Sequence, residues 1–215
     1  MKNKIVVEID CPLDDTISSM GIIEKFLNVN KIKMNLSIAY DYSMDLMGLY
    51  IPNEKDHKFR IFINPLMCKE IKQEYSLTFD GDNNFCPGSN FDRTLFSATI
   101  HEFCHLLQYQ IYDTIISDYK QKFQIDRLIL NDYSNVNIME ELAEIMTLYM
   151  TNPYLLKMIS KEHFKFIKSY FKSPVECSMD KCMDIYKGFP ITIKKFIEAN
   201  WFIYYNAKLD RLEFN

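Results

Sequence analysis

The chain has 215 residues, enough for one domain with a substantial hydrophobic core or for two closely joined lobes. Its hydrophobic content of 48% and charged content of 25% are ordinary for a globular protein and argue against disorder. A formal net charge of −4 without a basic stripe argues against a nucleic-acid partner, and the lack of any run of 18 apolar residues argues against a membrane span.

The N-terminal segment does not resemble a signal peptide, because the apolar stretch at residues 5–9 is short and is interrupted by Glu8. Taken as the native start, it predicts a cytoplasmic protein. The six cysteines fit that compartment as reduced thiols, and none forms a C-x-x-C pair that would indicate a cysteine-rich zinc ribbon.

The first 65 residues alternate between strand and helix signals. Apolar and polar residues alternate at 5–9, 34–40 and 59–63, a pattern that is typical of half-buried strands. The apolar triplet 49–51 predicts a further strand or a turn.

A helix is predicted between the first two strands, from Thr16 to Leu27, with Asp14 and Asp15 as capping candidates. The clearest loop of the chain follows the strands at residues 80–92, which are rich in Asp, Asn, Gly and Ser.

Beyond this loop the hydrophobic pattern is helical. The predicted helices cover residues 93–111, a less regular stretch to about 129, then 137–151, 153–172 and 190–204. The chain therefore combines a β-rich first part with a mainly helical second part.

The most informative motif is His101-Glu102-Phe103-Cys104-His105, an H-E-x-x-H sequence within a predicted helix. This spacing places two imidazoles on one helical face with a carboxylate beside them. Such an arrangement suits a zinc ion and a water molecule that the carboxylate can deprotonate. With only four histidines in the chain, a chance match is improbable, on the order of 1 in 100.

On a helical wheel the two histidines lie opposite an apolar stripe. The stripe consists of Phe96, Ile100, Phe103 and Leu107. We therefore expect this helix to pack on a core through the stripe and to present its imidazoles from the other side, where the small Ala98 leaves room for the metal.

A catalytic zinc needs three protein ligands and one open position. A third histidine six residues after His105 is absent, since position 111 is Ile, so a downstream carboxylate is the natural candidate. Residues 137–152 form a helix that is apolar nearly all round apart from one narrow polar strip. The strip contains Asn137, Glu140, Glu144, Thr147 and Thr151. Acidic groups on an otherwise buried helix are costly unless they meet a cation.

His101-Glu102-x-x-His105 followed by Glu140-x-x-Ala143-Glu144 resembles the gluzincin metallopeptidases, in particular the catalytic domain of anthrax lethal factor and the Pro-Pro endopeptidases. The match covers about residues 94–151. The resemblance implies a zincin-like α+β fold in a single domain, 1–215, with an upper lobe at about 1–111 and a lower lobe at about 112–215.

The same resemblance implies the roles of the site residues. By this resemblance, Glu140 is expected to be the third ligand of Zn²⁺. Tyr133, seven residues before it, is expected to help stabilise the tetrahedral intermediate. Glu144, one turn beyond Glu140, is expected to accept the N–H of a ligating imidazole and fix its tautomer. It remains the alternative third ligand.

The predicted function is that of a zinc-dependent endopeptidase in which Glu102 activates a zinc-bound water for attack on a peptide bond. The substrate is a protein or peptide, and its strand is expected to pair with a sheet edge at Lys58–Asn64. The sequence does not indicate the oligomeric state.

Two alternatives remain open. The composition, rich in Lys, Asn, Ile and Tyr, is also compatible with a phage- or toxin-related protease that acts on one regulatory or host protein. The non-enzymatic alternative is an inactive protein on the same scaffold that serves as a binding or regulatory module.

Overall fold

The computed structural model describes residues 4–7, 13–46, 48–51, 58–68, 95–111, 113–130, 133–178 and 180–181. Within these ranges the protein is a mixed α+β structure, as the sequence predicts. The predicted loop at 80–92 and the predicted helix at 190–204 lie outside the described residues.

The strands and one helix occupy the first part of the described chain, and helices and helical turns occupy the rest. The elements are β1 (Lys4–Val7), α1 (Asp14–Val29), β2 (Asn35–Tyr40), β3 (Gly48–Ile51), β4 (Lys58–Ile63), α2 (Leu95–Leu106), a π-helical turn (Leu107–Ile111), α3 (Asp113–Phe123), a 3-10 turn (Tyr133–Asn135), α4 (Ile138–Thr151), α5 (Pro153–Ile159) and α6 (Lys161–Tyr170).

The described strands form one mixed sheet in the order β1-β2-β4-β3. Strands β1 and β4 both pair with β2 in parallel, whereas β3 pairs with β4 in the antiparallel direction. The prediction that Lys58–Asn64 forms an open edge is therefore wrong, because β4 has neighbours on both sides. Among the described strands, β3 is the edge strand that pairs with β4.

The sheet buries one face against helices because its apolar residues recur at every second position. Leu36, Ile38, Ile61 and Ile63 are buried on that face. Helices α1 and α2 pack together, and α2 also contacts β3, β4 and α4. Helix α2 is therefore enclosed on several sides rather than packed through one stripe, and even His101 has no exposed surface.

Two local boundaries differ from the sequence prediction. Helix α1 begins at Asp14, and its N-cap residue, Leu13, provides no side-chain cap. Asp14 and Asp15 therefore lie in the first turn, where their negative charges interact favourably with the positive end of the helix dipole. The helix predicted at 153–172 is divided at Ser160, whose extended backbone ends α5 and whose side chain caps α6.

One pair of hydrogen bonds ties distant parts of the described chain together. The side-chain amide of Asn30, at the end of α1, donates to the carbonyl of Lys172 at 2.9 Å, and its oxygen accepts the backbone N–H of Lys172 at 2.7 Å. The segment after α6 is thereby attached to the helix that packs against α2.

No helix in the described ranges is both long enough and apolar enough to cross a membrane.

The buried sheet face predicts a large cost for truncating a central strand. We expect Ile61→Ala, which removes a fully buried side chain from β4, to lower the free energy of unfolding by about 2–5 kcal/mol. Ile51→Ala on the edge strand, where the side chain is 42% exposed, serves as the matched control and should cost under about 1 kcal/mol. Urea unfolding with equal m-values measures both, and equal losses would contradict this assignment of the core.

Candidate metal centre

Helix α2 brings the two imidazoles of the H-E-x-x-H motif together. His101 and His105 are four residues apart, so they lie one turn apart on the same face. Their ring centroids are 4.7 Å apart and the rings are nearly perpendicular, with an interplanar angle of 82°. Both Nε2 atoms point toward the first turn of α4, where Glu140 meets them.

The first turn of α4 holds Glu140 in place. Asn137 caps this helix, and its side-chain oxygen accepts the backbone N–H groups of Met139 and Glu140 at 2.9 and 3.0 Å. Glu140 is thus the third residue of a capped helix, where the helix dipole favours a negative charge.

Glu140 meets both imidazoles through a single carboxylate oxygen. Its Oε2 lies 3.0 Å from Nε2 of His101 and 3.0 Å from Nε2 of His105. One donor atom from each of the three residues falls within 4.8 Å of the others, so the group can hold a metal ion. The two 3.0 Å contacts are close to the separation of about 3.4 Å between the donor atoms of a tetrahedral ion with bonds near 2.1 Å.

Glu144 fixes the other nitrogen of His101. The Nδ1 atom of His101 lies 2.8 Å from Oε1 of Glu144, and both side chains are fully buried. This contact orients the ring so that Nε2 faces Glu140. Glu144 thus contacts the far side of the imidazole and is placed to orient it, whereas Glu140 occupies the side where a metal would bind.

Gln108 has the corresponding position beside His105. The helical wheel places it near the two histidines, but the sequence alone predicted no role for it. Its Oε1 lies 3.3 Å from Nδ1 of His105, and its amide nitrogen donates to the carbonyl of Met139 at 3.1 Å. Gln108 is fully buried in the π-helical turn that follows α2. The available signal was its spacing of three residues from His105, which places both side chains on one helical face.

Glu102 lies against β3 and interacts electrostatically with His101, His105 and Glu140. Its carboxylate accepts a hydrogen bond from the backbone N–H of Tyr50, and its side chain passes directly beside Gly48. Only 8% of its surface is exposed. Burial raises the pKa of Glu102, while His101 and His105 oppose that rise.

Glu141 lies outside the polar strip of α4 and has a structural role of its own. Its fully buried carboxylate accepts the hydroxyl of Tyr119 at 2.6 Å, Nε of Arg127 at 2.5 Å and the backbone N–H of Leu128 at 2.9 Å. It therefore faces α3 and residues 127–128 rather than the imidazoles. The helical pattern alone did not predict this network.

Two tyrosines are close in sequence to the residues that can hold the metal, Tyr109 to His105 and Tyr133 to Glu140. The backbone of Tyr133 opens the 3-10 turn that packs against α4, and Arg127 holds this turn through the carbonyl of Ser134. The side chain of Tyr133 lies outside the described part of the structure. Tyr109 is half exposed, and its hydroxyl contacts the sulfur of Met139, next to Glu140.

The charges of the cluster are strongly coupled. Burial by itself would lower the pKa of His101, but hydrogen bonds to Glu140 and Glu144 and the nearby negative charges outweigh it and raise the pKa to about 10. Burial by itself would raise the pKa of Glu140, but the two imidazoles outweigh it and lower the pKa to about 2. Without a metal ion, a proton on His101 neutralises part of the buried negative charge.

No known protein family, curated protein or solved structure matches this chain significantly.

The raised pKa of His101 predicts that metal binding expels a proton. At pH 8 the Nε2 atom of the metal-free protein carries a proton, and a metal at that atom must displace it, whereas Glu140 is already ionised. We expect about one proton released per metal ion bound, and metal affinity that rises up to about tenfold per pH unit until pH approaches 10. Titration calorimetry in buffers of different ionisation enthalpy measures this number.

Glu144→Gln is the informative variant for the same titration. Losing the buried carboxylate lowers the pKa of His101 and loosens its ring, so fewer protons should be released and metal affinity should fall about 10–100-fold. Glu162→Gln on α6, where the glutamate is exposed, should leave both values unchanged. Proton release that is absent in the unmodified protein would contradict the assignment of the proton to His101.

Proposed function

We propose that the protein is a zinc-dependent endopeptidase of the gluzincin type. The observation that carries the proposal is the shared contact of Glu140 Oε2 with both imidazoles of the H-E-x-x-H motif, at 3.0 Å each. Two neutral nitrogens and one carboxylate oxygen are one of the donor sets of catalytic zinc sites, which leave a fourth position open.

Zinc fits this group better than a hard cation. Calcium and magnesium prefer six or more oxygen ligands, whereas imidazole nitrogens with one carboxylate suit zinc. The ring-orienting contacts of Glu144 and Gln108 on the far nitrogens support this choice, because ligating histidines usually donate their other N–H to such a partner. A zinc ion held by His101, His105 and Glu140 would supply Lewis acidity and lower the pKa of a bound water molecule.

A zincin-like fold is part of the same proposal. It is supported by a mixed sheet whose described edge strand, β3, runs antiparallel to β4 and lies beside the helix that carries the two histidines. The helix that carries Glu140 also packs against α2. This arrangement brings a sheet edge, the helix of the general base and a third ligand to one place.

The protein residues divide the proton chemistry of peptide hydrolysis among them. Glu102 takes the proton of the attacking water and later delivers it to the leaving amine, a role that its raised pKa favours. Tyr133 donates a hydrogen bond to the oxyanion that forms on the scissile carbonyl. Glu144 and Gln108 hold the imidazoles and take no part in proton transfer.

An extended peptide is the substrate class that fits the described sheet edge. A peptide can add a strand to β3 through main-chain groups that do not pair with β4, apart from the N–H of Tyr50, which donates to Glu102. Leu49 and Ile51 on this strand are 38% and 42% exposed, so substrate residues next to them should be apolar. This edge replaces the one predicted at Lys58–Asn64.

Glu102→Gln is the direct test of the proposed chemistry. The amide keeps the shape of the side chain but cannot accept the proton, so cleavage of a peptide library should fall about 10²–10⁴-fold while zinc content stays at one ion per chain. His101→Ala should lose the zinc as well as the cleavage. Mass spectrometry of the products and metal analysis provide the two measurements.

The outcomes separate the proposal from the binding-module alternative. Undiminished cleavage by Glu102→Gln would rule out Glu102 as the general base. An unmodified, zinc-loaded protein that cleaves no peptide would favour an inactive scaffold instead, and a metal site without exchangeable water would support that conclusion.

Tyr133→Phe tests the proposed oxyanion contact. Removing the hydroxyl should lower kcat about 10²–10³-fold with little change in KM, because the lost hydrogen bond forms mainly in the transition state. Tyr109→Phe is the matched control near the same cluster and should change kcat much less. A larger loss in Tyr109→Phe would transfer the role to Tyr109.

A further inference from the structure

The backbone of β3 forms a slot for the side chain of Glu102. Helix α2 packs against this strand, and Glu102 extends from the helix to the strand rather than toward solvent. We infer that Gly48 is a positioning residue whose missing side chain, together with the backbone N–H of Tyr50, sets the direction of the Glu102 carboxylate. This inference rests on the proposed function, because it concerns the group that would act as the general base.

The space beside Gly48 is filled by Glu102 itself. A Cβ atom added at Gly48 would lie 2.5 Å from Cγ of Glu102, 2.8 Å from Oε1 and 3.0 Å from Cδ. Carbon atoms in van der Waals contact are about 3.5–4.0 Å apart, so even alanine does not fit without movement. The three nearest atoms in conflict all belong to the Glu102 side chain.

Glycine is required at this position for space rather than for backbone conformation. Gly48 does not adopt the left-handed conformation that favours glycine, so alanine would meet no backbone penalty there. The strand is also paired with β4, from Gly48 opposite Ile63 to Ile51 opposite Arg60. When alanine is introduced, the flexible side chain of Glu102 therefore moves in preference to the paired strand.

The N–H group of Tyr50 completes the slot. It donates to the Glu102 carboxylate from two residues further along β3, so the strand contacts the side chain at two points. One contact is steric and the other is a directional hydrogen bond. Together they define one orientation of a carboxylate that would otherwise rotate about its side-chain bonds.

This slot predicts a specific loss when Gly48 is replaced by alanine. Displacing a general base by about 1 Å lowers the rate on the order of 10²-fold. The three atoms nearest to the added Cβ belong to Glu102 and not to the proposed ligands His101, His105 and Glu140, so metal binding should change little. We therefore expect Gly48→Ala to lower kcat about 100-fold, with KM and zinc affinity changed less than about threefold.

Gly21→Ala is the matched control within the same chain. Gly21 lies in α1, and a Cβ atom added there meets nothing within 4 Å. This substitution should leave kcat, KM and zinc affinity unchanged. It also shows whether replacing a glycine by alanine elsewhere in the chain changes these quantities.

The readout that does not depend on activity is the amide resonance of Tyr50. A hydrogen bond to a carboxylate moves an amide proton downfield, so Gly48→Ala and Glu102→Ala should both shift the Tyr50 amide upfield and speed its hydrogen exchange. Gly21→Ala should do neither. These spectra are recorded on the full chain with and without zinc.

The combined results distinguish the slot from the proposed function. Loss of kcat in Gly48→Ala together with a moved Tyr50 amide supports the slot, whereas unchanged kcat with an unmoved amide overturns it. If the unmodified protein cleaves nothing, the proposed function fails and the amide alone decides the slot. If Gly48→Ala does not fold, faster exchange of the Tyr50 amide in Glu102→Ala supports the slot and unchanged exchange overturns it.

Discussion

The candidate site depends on one carboxylate oxygen that two imidazoles share. Oε2 of Glu140 lies at equal distances from both Nε2 atoms, and this convergence joins α2 to α4 although α3 and the 3-10 turn separate them along the chain. Asn137 holds the backbone at Glu140, and Glu144 lies against the far nitrogen of the His101 ring, so a neighbouring residue supports each side of the contact.

Burial makes this cluster costly unless it holds a positive charge. Three acidic side chains, Glu102, Glu140 and Glu144, lie around His101, and two of them are almost fully enclosed. An isolated negative charge in such surroundings is strongly unfavourable, and either a proton or a metal ion relieves it. The acidic strip on the otherwise apolar α4 thus has a physical explanation in the histidines of the neighbouring helix.

The parts of the site that could be predicted from the sequence are those governed by helical spacing. His101 with His105, and Glu140 with Glu144, are each one turn apart, so a helix alone places them on a common face. The contacts of Gln108 and Glu141 were missed because they involve partners from other elements, which no single helical pattern reveals.

In the fold, too, features set by neighbouring residues could be predicted from the sequence, whereas features set by contacts between distant residues could not. Ser160 was a readable signal, since serine is a common N-cap residue, yet the apolar pattern on both sides concealed the break between α5 and α6. The position of β4 inside the sheet was not readable at all, because tertiary packing decides the order of strands.

The π-helical turn after α2 has a consequence for how this chain tolerates changes in length. Such a turn contains one residue more than an α-helical turn, and each residue in a helix adds about 100° of rotation. Deleting Leu107 would restore regular winding but would also rotate Gln108 and Tyr109 about the helix axis, away from their contacts with Met139. The extra residue thereby keeps both side chains directed at the first turn of α4.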